Sequence, residues 1–151
     1  MRYVKTGPVI DPGDYLEYLQ GAANQLPAGA RAFATAEWHY DFHGARCVKD
    51  LELGLLEVSD AGDQGQCVSV DLYLLPNKFK HAAGLRIQYA DASRLAMSTG
   101  SVPLGHHRLG PLILDDLLPD GEGGCAHEIA FHGGIITVVA TDIVARWDND
   151  A

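Results

Sequence analysis

The strongest constraint on the fold is a period-two alternation of apolar and polar residues near the middle of the chain. It runs over residues 67–74, where the apolar members are Val68, Val70, Leu72 and Leu74. Successive side chains of a β-strand point to opposite faces of a sheet. The run therefore predicts a strand with one buried face. Pro76 is expected to end it, because proline cannot donate to a sheet ladder.

Similar patterns predict strands on both sides of this run. A longer strand is expected over residues 47–58, with Leu51, Leu53 and Leu55 on its buried face. Further expected strands cover residues 38–43, 85–89, 125–131, 135–140 and 143–147, while 113–118 is predicted as a strand or a helical turn. Segments rich in glycine, aspartate and proline predict turns over residues 59–65, 119–124 and 133–134. Residues 92–110 lack a clear pattern and are expected to be mostly loop.

One helix is predicted before the strands, over about residues 12–26. Asp11 can cap it, Pro12 suits its first position, and Pro27 and Gly29 are expected to stop it. A chain of 151 residues fits one domain. We therefore predict a single, mainly β domain of the α+β class over 1–151. Its body, about 37–148, is an antiparallel sandwich or half-barrel with one N-terminal helix.

The charge of the chain is acidic and unevenly distributed. There are 20 acidic and 11 basic residues, a formal charge of −9. Residues 109–145 and 50–71 contain no lysine or arginine. Binding to nucleic acid or to an anionic membrane by charge neutralisation is therefore disfavoured. A basic protein partner is favoured. Two acidic clusters are the alternative contact sites: Asp60 with Asp63, or Asp115, Asp116, Asp120 and Glu122.

The remaining composition predicts a cytoplasmic protein. The three cysteines, Cys47, Cys67 and Cys125, are odd in number and widely spaced, which does not suggest a disulfide framework. No apolar run approaches the length of a membrane span. The first residues lack the apolar core of a signal peptide.

The histidines provide the alternative to a binding role. On a strand, His39, Asp41 and His43 would share one face, and two imidazoles with one carboxylate can ligate a metal. No further ligand follows from the spacing, so no cofactor is predicted and this site remains the runner-up. His106 and His107 are adjacent, and His127 and His132 are five residues apart, so neither pair shares a strand face. No motif for nucleophilic catalysis or nucleotide binding is present. We therefore predict that the protein is not an enzyme.

Two segments resemble parts of small bacterial β-rich proteins that act as immunity proteins of polymorphic toxin systems. Residues 40–48, Tyr-Asp-Phe-His-Gly-Ala-Arg-Cys-Val, are similar to the entry of their first long strand. Residues 132–143 are similar to their closing strand pair. The resemblance covers about residues 38–147. It implies inhibition of a cognate toxin by binding, without catalysis, and it assigns no individual contact residue.

The sequence thus favours a non-catalytic domain that neutralises a basic toxin by binding it. A metal-binding protein or metal-dependent enzyme that uses His39, Asp41 and His43 is the first alternative. An adaptor or structural subunit of an assembly is the second.

Overall fold

The computed structural model of the protein describes residues 1–6, 9–60, 68–100 and 109–150. Its helices are α1 (Gly13–Ala22) and α2 (Ala28–Ala34), separated by a 3-10 turn at Ala23–Gln25. Its strands are β1 (Lys5–Thr6), β2 (Ile10–Asp11), β3 (Glu52–Ser59), β4 (Val68–Leu75), β5 (Leu85–Ala92), β6 (Arg94–Thr99), β7 (Leu112–Pro119), β8 (Cys125–Phe131), β9 (Gly134–Ala140) and β10 (Asp142–Trp147). None of the helices in the described part of the chain is long and apolar enough to cross a membrane.

Two four-stranded antiparallel sheets form the body. The first sheet has the order β10-β5-β4-β3 and the second has the order β6-β9-β8-β7. β1 and β2 pair separately. The mainly β fold class predicted from the alternation is confirmed, as are the closing strands β8, β9 and β10.

The two sheets share a corner at which two strands pass from one sheet to the other. β5 continues into β6 across Ser93, and β9 continues into β10 across Thr141. The corner is closed by hydrogen bonds from Ser93 N to Val139 O and from Thr141 N to Ala90 O, each 2.9 Å long. Bent strands of this kind connect the layers of orthogonally packed sheets.

The sheets also meet near the start of β3 and β7. Leu112 N donates to Leu51 O at 2.7 Å, and Asp50 N donates to Leu112 O at 2.8 Å. Because this pairing is antiparallel and involves the first residues of both strands, β3 and β7 run away from each other. Their far ends therefore lie on opposite sides of the domain.

The core lies between the inner faces of the sheets and beneath the helices. Val70, Leu72 and Leu74 are buried on β4, and Leu51 is buried just before β3. These four predictions are confirmed. Val68 is half-buried at the first position of β4.

The predicted buried face of β3 is wrong at Leu55, which is 52% exposed. A bulge between Leu53 and Leu55 shifts the register against β4. A bulge adds one residue to one strand, which reverses the faces of the residues that follow. Leu56, and not Leu55, lies opposite the buried Leu72.

The N-terminal helix is confirmed, but α2 was not predicted. Pro12, and not Asp11, occupies the N-cap position of α1, and Asp11 Oδ1 accepts a hydrogen bond from Gly13 N at 2.8 Å from one residue earlier. Gly29, expected to stop a helix, lies in the first turn of α2 instead. A Cβ there would be 1.8 Å from Ile143 O of β10, so only glycine lets the helix pack this closely. Asp142 caps α2 across the interface, accepting from Gly29 N and Ala30 N at 3.1 and 2.8 Å.

Two further segments differ from the predictions. Residues 38–43 form successive turns, with Asp41 N bonded to Trp38 O and Gly44 N to Asp41 O. Arg94–Thr99, predicted as loop, is β6. The turn predicted over residues 59–65, together with Asp63, Cys67, His106 and His107, lies wholly or partly outside the described residues.

Candidate functional site

Five of the six carboxylates predicted to contact a partner lie in the described residues, and these five are spread over different parts of the domain. Asp60 is exposed beyond the end of β3, whereas Asp120 and Glu122 lie in the turn after β7. Those two strand ends are on opposite sides of the domain. The Asp120 side chain accepts hydrogen bonds from Glu122 N and Gly124 N at 2.7 and 2.8 Å, so it also shapes its own turn.

Asp115 and Asp116 are buried, so the prediction that they belong to an exposed acidic surface is wrong. Asp115 is 1% exposed and Asp116 is 2% exposed. They are adjacent in β7 and therefore point to opposite faces of its sheet. Asp116 accepts a hydrogen bond from Arg2 N at 3.0 Å, so the N-terminal segment covers it. Asp115 points toward the core.

Asp115 is the centre of a buried polar cluster drawn from five elements. Its Oδ1 atom is 2.7 Å from His39 Nε2, and its Oδ2 atom is 2.7 Å from His127 Nε2. His39 Nδ1 is 2.8 Å from Phe33 O in α2, and His127 Nδ1 is 2.7 Å from the Tyr89 hydroxyl in β5. Every polar side-chain atom of Asp115 and of both imidazoles therefore has a partner.

The lowered pKa of Asp115 makes it an ionised carboxylate, and the hydrogen-bond partners then set the protonation of the imidazoles around it. A backbone carbonyl can only accept, and so can an ionised carboxylate. His39 lies between these two acceptors, so it donates from both nitrogens and is an imidazolium. His127 donates to Asp115 from one nitrogen and accepts from the Tyr89 hydroxyl at the other, which a neutral imidazole satisfies. The cluster thus holds one cation and one anion.

The electrostatic environment agrees with this assignment. Burial alone would lower the pKa of His39, but the charge of Asp115 and its hydrogen bond raise that pKa above its ordinary value. Burial alone would raise the pKa of Asp115, but the charge of His39 and the hydrogen bonds from both imidazoles hold it well below its usual range. Burial raises the pKa of Tyr89, so its phenol keeps the proton that it donates.

The runner-up metal site does not assemble. His39 is buried with both nitrogens engaged, whereas Asp41 and His43 are exposed on the turns that follow. The strand that would have aligned them is absent from residues 38–43. Within the described ranges, no group of three histidine, cysteine, aspartate or glutamate side chains could hold a metal ion.

An open groove lies beside this cluster, between α1 and residues 34–41. Its volume is about 500 Å³. The residues that line it are Leu16, Leu19, Gln20, Ala23, Ala34, Thr35, Ala36, Glu37, Tyr40 and Asp41. Three of them are alanines, whose short side chains leave the space unfilled. Leu16 is 38% exposed at the edge, so the groove presents apolar surface to solvent.

The rim of the groove is acidic. Glu37 and Asp41 line it and are both exposed, and no lysine or arginine lines it. Arg31 is the sole lysine or arginine between Lys5 and Arg46, and its guanidinium donates to Leu26 O at 3.1 Å.

The groove is connected to the buried cluster through Tyr40. The Tyr40 ring lines the groove, and its hydroxyl donates to Asp115 O at 2.7 Å. Its ring also stacks on His39, with the ring centroids 4.5 Å apart. Burial raises the pKa of the Tyr40 hydroxyl, so the phenol remains a donor. The buried ion pair thus supports one wall of the groove.

Comparison of the chain with protein-family models, with curated proteins and with solved structures found no significant match.

Proposed function

We propose that this protein is a non-catalytic binding domain that captures a basic protein partner in the groove between α1 and residues 34–41. The observation that carries the proposal is the combination of an apolar groove of about 500 Å³ with a rim of carboxylates and no basic side chain. An apolar side chain of the partner would enter the groove and supply most of the affinity. Lysines or arginines around it would meet Glu37 and Asp41.

The buried cluster supports a non-catalytic role. Asp115, His39, His127 and Tyr89 are of types that suit acid–base chemistry, but they hydrogen-bond one another and lie in the core. A general acid or base must reach the proton that it transfers, directly or through one water. These four residues stabilise the fold, and the hydrogen bond from Tyr40 to Asp115 O connects them to the groove.

The biological role that fits such a domain best is neutralisation of a toxin, as the resemblance to immunity proteins of polymorphic toxin systems suggests. Inhibition by binding needs an accessible surface of complementary charge and no chemistry of its own. The proposed contact surface is thus the groove and neither of the two predicted carboxylate clusters. The predicted partner, a basic toxin domain, is unchanged.

Association kinetics test the proposal, with the purified product of the adjacent gene as the probe. The Glu37→Gln/Asp41→Asn variant is expected to slow association roughly threefold to tenfold at low salt, because exposed rim charges act mainly by electrostatic steering. The difference should shrink at physiological ionic strength, where the screening length is about 8 Å. Surface plasmon resonance at several salt concentrations measures both effects.

The matched control is Asp60→Asn/Glu122→Gln, which removes two exposed carboxylates that do not line the groove. It should leave the rate constant within about twofold of the wild type. A complex whose association ignores salt and the groove variant would show that the acidity serves only solubility. Failure of the two proteins to form any complex would contradict the immunity role.

A further inference from the structure

A second surface, on the outer face of the first sheet, has an unusual arrangement of charge. Val70, Leu72 and Leu74 of β4 point to the core, so Asp71 and Tyr73 point outward. The cross-strand register then places eight side chains on this outer face in two rows. The first row is Arg146, Arg86, Tyr73 and Leu55, and the second is Val144, Gln88, Asp71 and Glu57. We call these eight residues the open face.

Like charges are paired across neighbouring strands at two corners of the open face. Arg146 of β10 lies directly opposite Arg86 of β5, and Glu57 of β3 lies directly opposite Asp71 of β4. Like charges directly opposite each other destabilise an antiparallel pair. The open face therefore carries a positive corner and a negative corner, and each costs the isolated domain stability.

The chain compensates only part of this charge itself. Arg86 Nε donates to Asp148 Oδ1 at 3.0 Å, and its guanidinium stacks 4.3 Å from the centroid of Tyr73. Gln88 donates to Asp71 Oδ1 at 2.9 Å. Arg146 and Glu57, the outer member of each pair, form no ion pair with any residue that the structure describes.

The open face is also concave and partly apolar. It contains a depression of about 280 Å³ lined by its side chains. Leu55 is 52% exposed and Val144 is 45% exposed. The bulge in β3 is what turns Leu55 outward. A strand with Leu55 directed into the core would not have provided this apolar contact.

We propose that the open face is the interface of a symmetric homodimer. A two-fold axis parallel to the face, midway between the arginine pair and the acidic pair, exchanges the two pairs. Arg146 and Arg86 of one copy would then meet Glu57 and Asp71 of its partner, and the reverse contact follows by symmetry. Such an interface is isologous, since the same patch serves both copies. The same two-fold rotation places opposite charges against both like-charge pairs. For this reason a second copy of the chain is the molecule that covers the open face.

This surface is independent of the groove, which lies on α1 and residues 34–41. The open face and the groove have no lining residue in common. Failure of either proposal does not affect the other.

Sedimentation velocity of the purified full chain tests the dimer. At roughly 100 μM, a dimer with a micromolar dissociation constant is mostly associated. The wild type is expected to sediment as a dimer. Arg146→Glu and Glu57→Arg should each raise the dissociation constant at least about tenfold, because each places like charges in contact twice per dimer.

The decisive observation is charge rescue. An equimolar mixture of Arg146→Glu and Glu57→Arg should form a heterodimer, and the double variant in one chain should dimerise again. Glu122→Arg, which reverses a charge in the turn between β7 and β8, is the control and should not change the association. A monomeric wild type at this concentration overturns the proposal. So does a dimer that both single variants leave intact, because another surface would then form it.

Discussion

Replacing Asp115 with alanine is expected to lower the free energy of unfolding by about 3–5 kcal/mol, the range for removing one member of a buried ion pair. The change leaves the His39 imidazolium without its counter-ion, and it leaves a donor on His127 without an acceptor. Both losses occur where water cannot substitute. Urea denaturation followed by tryptophan fluorescence measures the effect, since Trp38 lies 5.6 Å from the His39 ring.

Asp115→Asn is the matched variant that separates charge from hydrogen bonding. Its amide oxygen can accept from His127, and its amide nitrogen can donate to a neutral His39 that still donates to Phe33 O. Every partner is then satisfied without charge, so this variant should lose clearly less stability than Asp115→Ala. Equal losses in the two variants would contradict the hydrogen-bond assignment.

The pH dependence of stability provides a second readout of the same pair. The raised pKa of His39 means that its contribution is complete below its unfolded value of about 6.5 and is lost as pH rises through the folded value. The lowered pKa of Asp115 means that its contribution is complete above an unfolded value of about 3.9 and is lost as pH falls through the folded value. The pair should stabilise the fold most between about pH 4 and 6.5. In Asp115→Asn, the decline above that window should disappear.

Leu72→Ala is expected to cost about 2–5 kcal/mol, the usual range for a buried leucine that leaves a cavity. Leu72 is 1% exposed in the middle of β4, between β3 and β5. Leu55→Ala is the control on the neighbouring strand and should stay within about 0.5 kcal/mol in the monomer, because Leu55 faces solvent. The urea midpoints of the two variants, compared at a protein concentration too low for dimerisation, measure these two losses of stability. Similar losses in both variants would show that the register of β3 is not the one described.

The strands whose apolar residues alternate strictly could be predicted from the sequence. β4 and β5 each bury one face against the core, and a period of two records that arrangement directly. β8, β9 and β10 have no strict period and were predicted as short apolar runs. The buried face of β3 could not be predicted in this way. The bulge between Leu53 and Leu55 turns the side chains that follow it to the other face of the sheet. The sequence does not show this, because Leu53 and Leu55 still stand two residues apart.

Residues 38–43 could not be predicted for a different reason. Aromatic residues at Trp38, Tyr40 and Phe42 imitate a strand, but backbone hydrogen bonds make the segment a series of turns. Those turns carry His39 into the core and leave Asp41 and His43 outside. Contact with Asp115, 76 residues away, decides this placement, and local propensity contains no information about it.

One signal for the buried cluster was available in the sequence. Asp115 and Asp116 interrupt an otherwise apolar run from Leu112 to Leu118, and adjacent residues of a strand point to opposite faces. In a strand covered on both faces, both carboxylates must be buried and must have partners. The charge pattern alone instead suggested an exposed acidic surface. The groove could not be predicted, since it depends on how α1 packs beside residues 34–41.

The central claim is that the groove binds the partner, and hydrogen–deuterium exchange of the complex tests it most directly. Upon addition of the adjacent gene product, exchange should slow in residues 16–23 and 34–41, where the backbone borders the groove. Residues 57–60 and 120–122, which carry the carboxylates outside it, should exchange as in the free protein. Protection of those two segments, with unchanged exchange along the groove, would contradict the proposed interface and favour the predicted acidic residues.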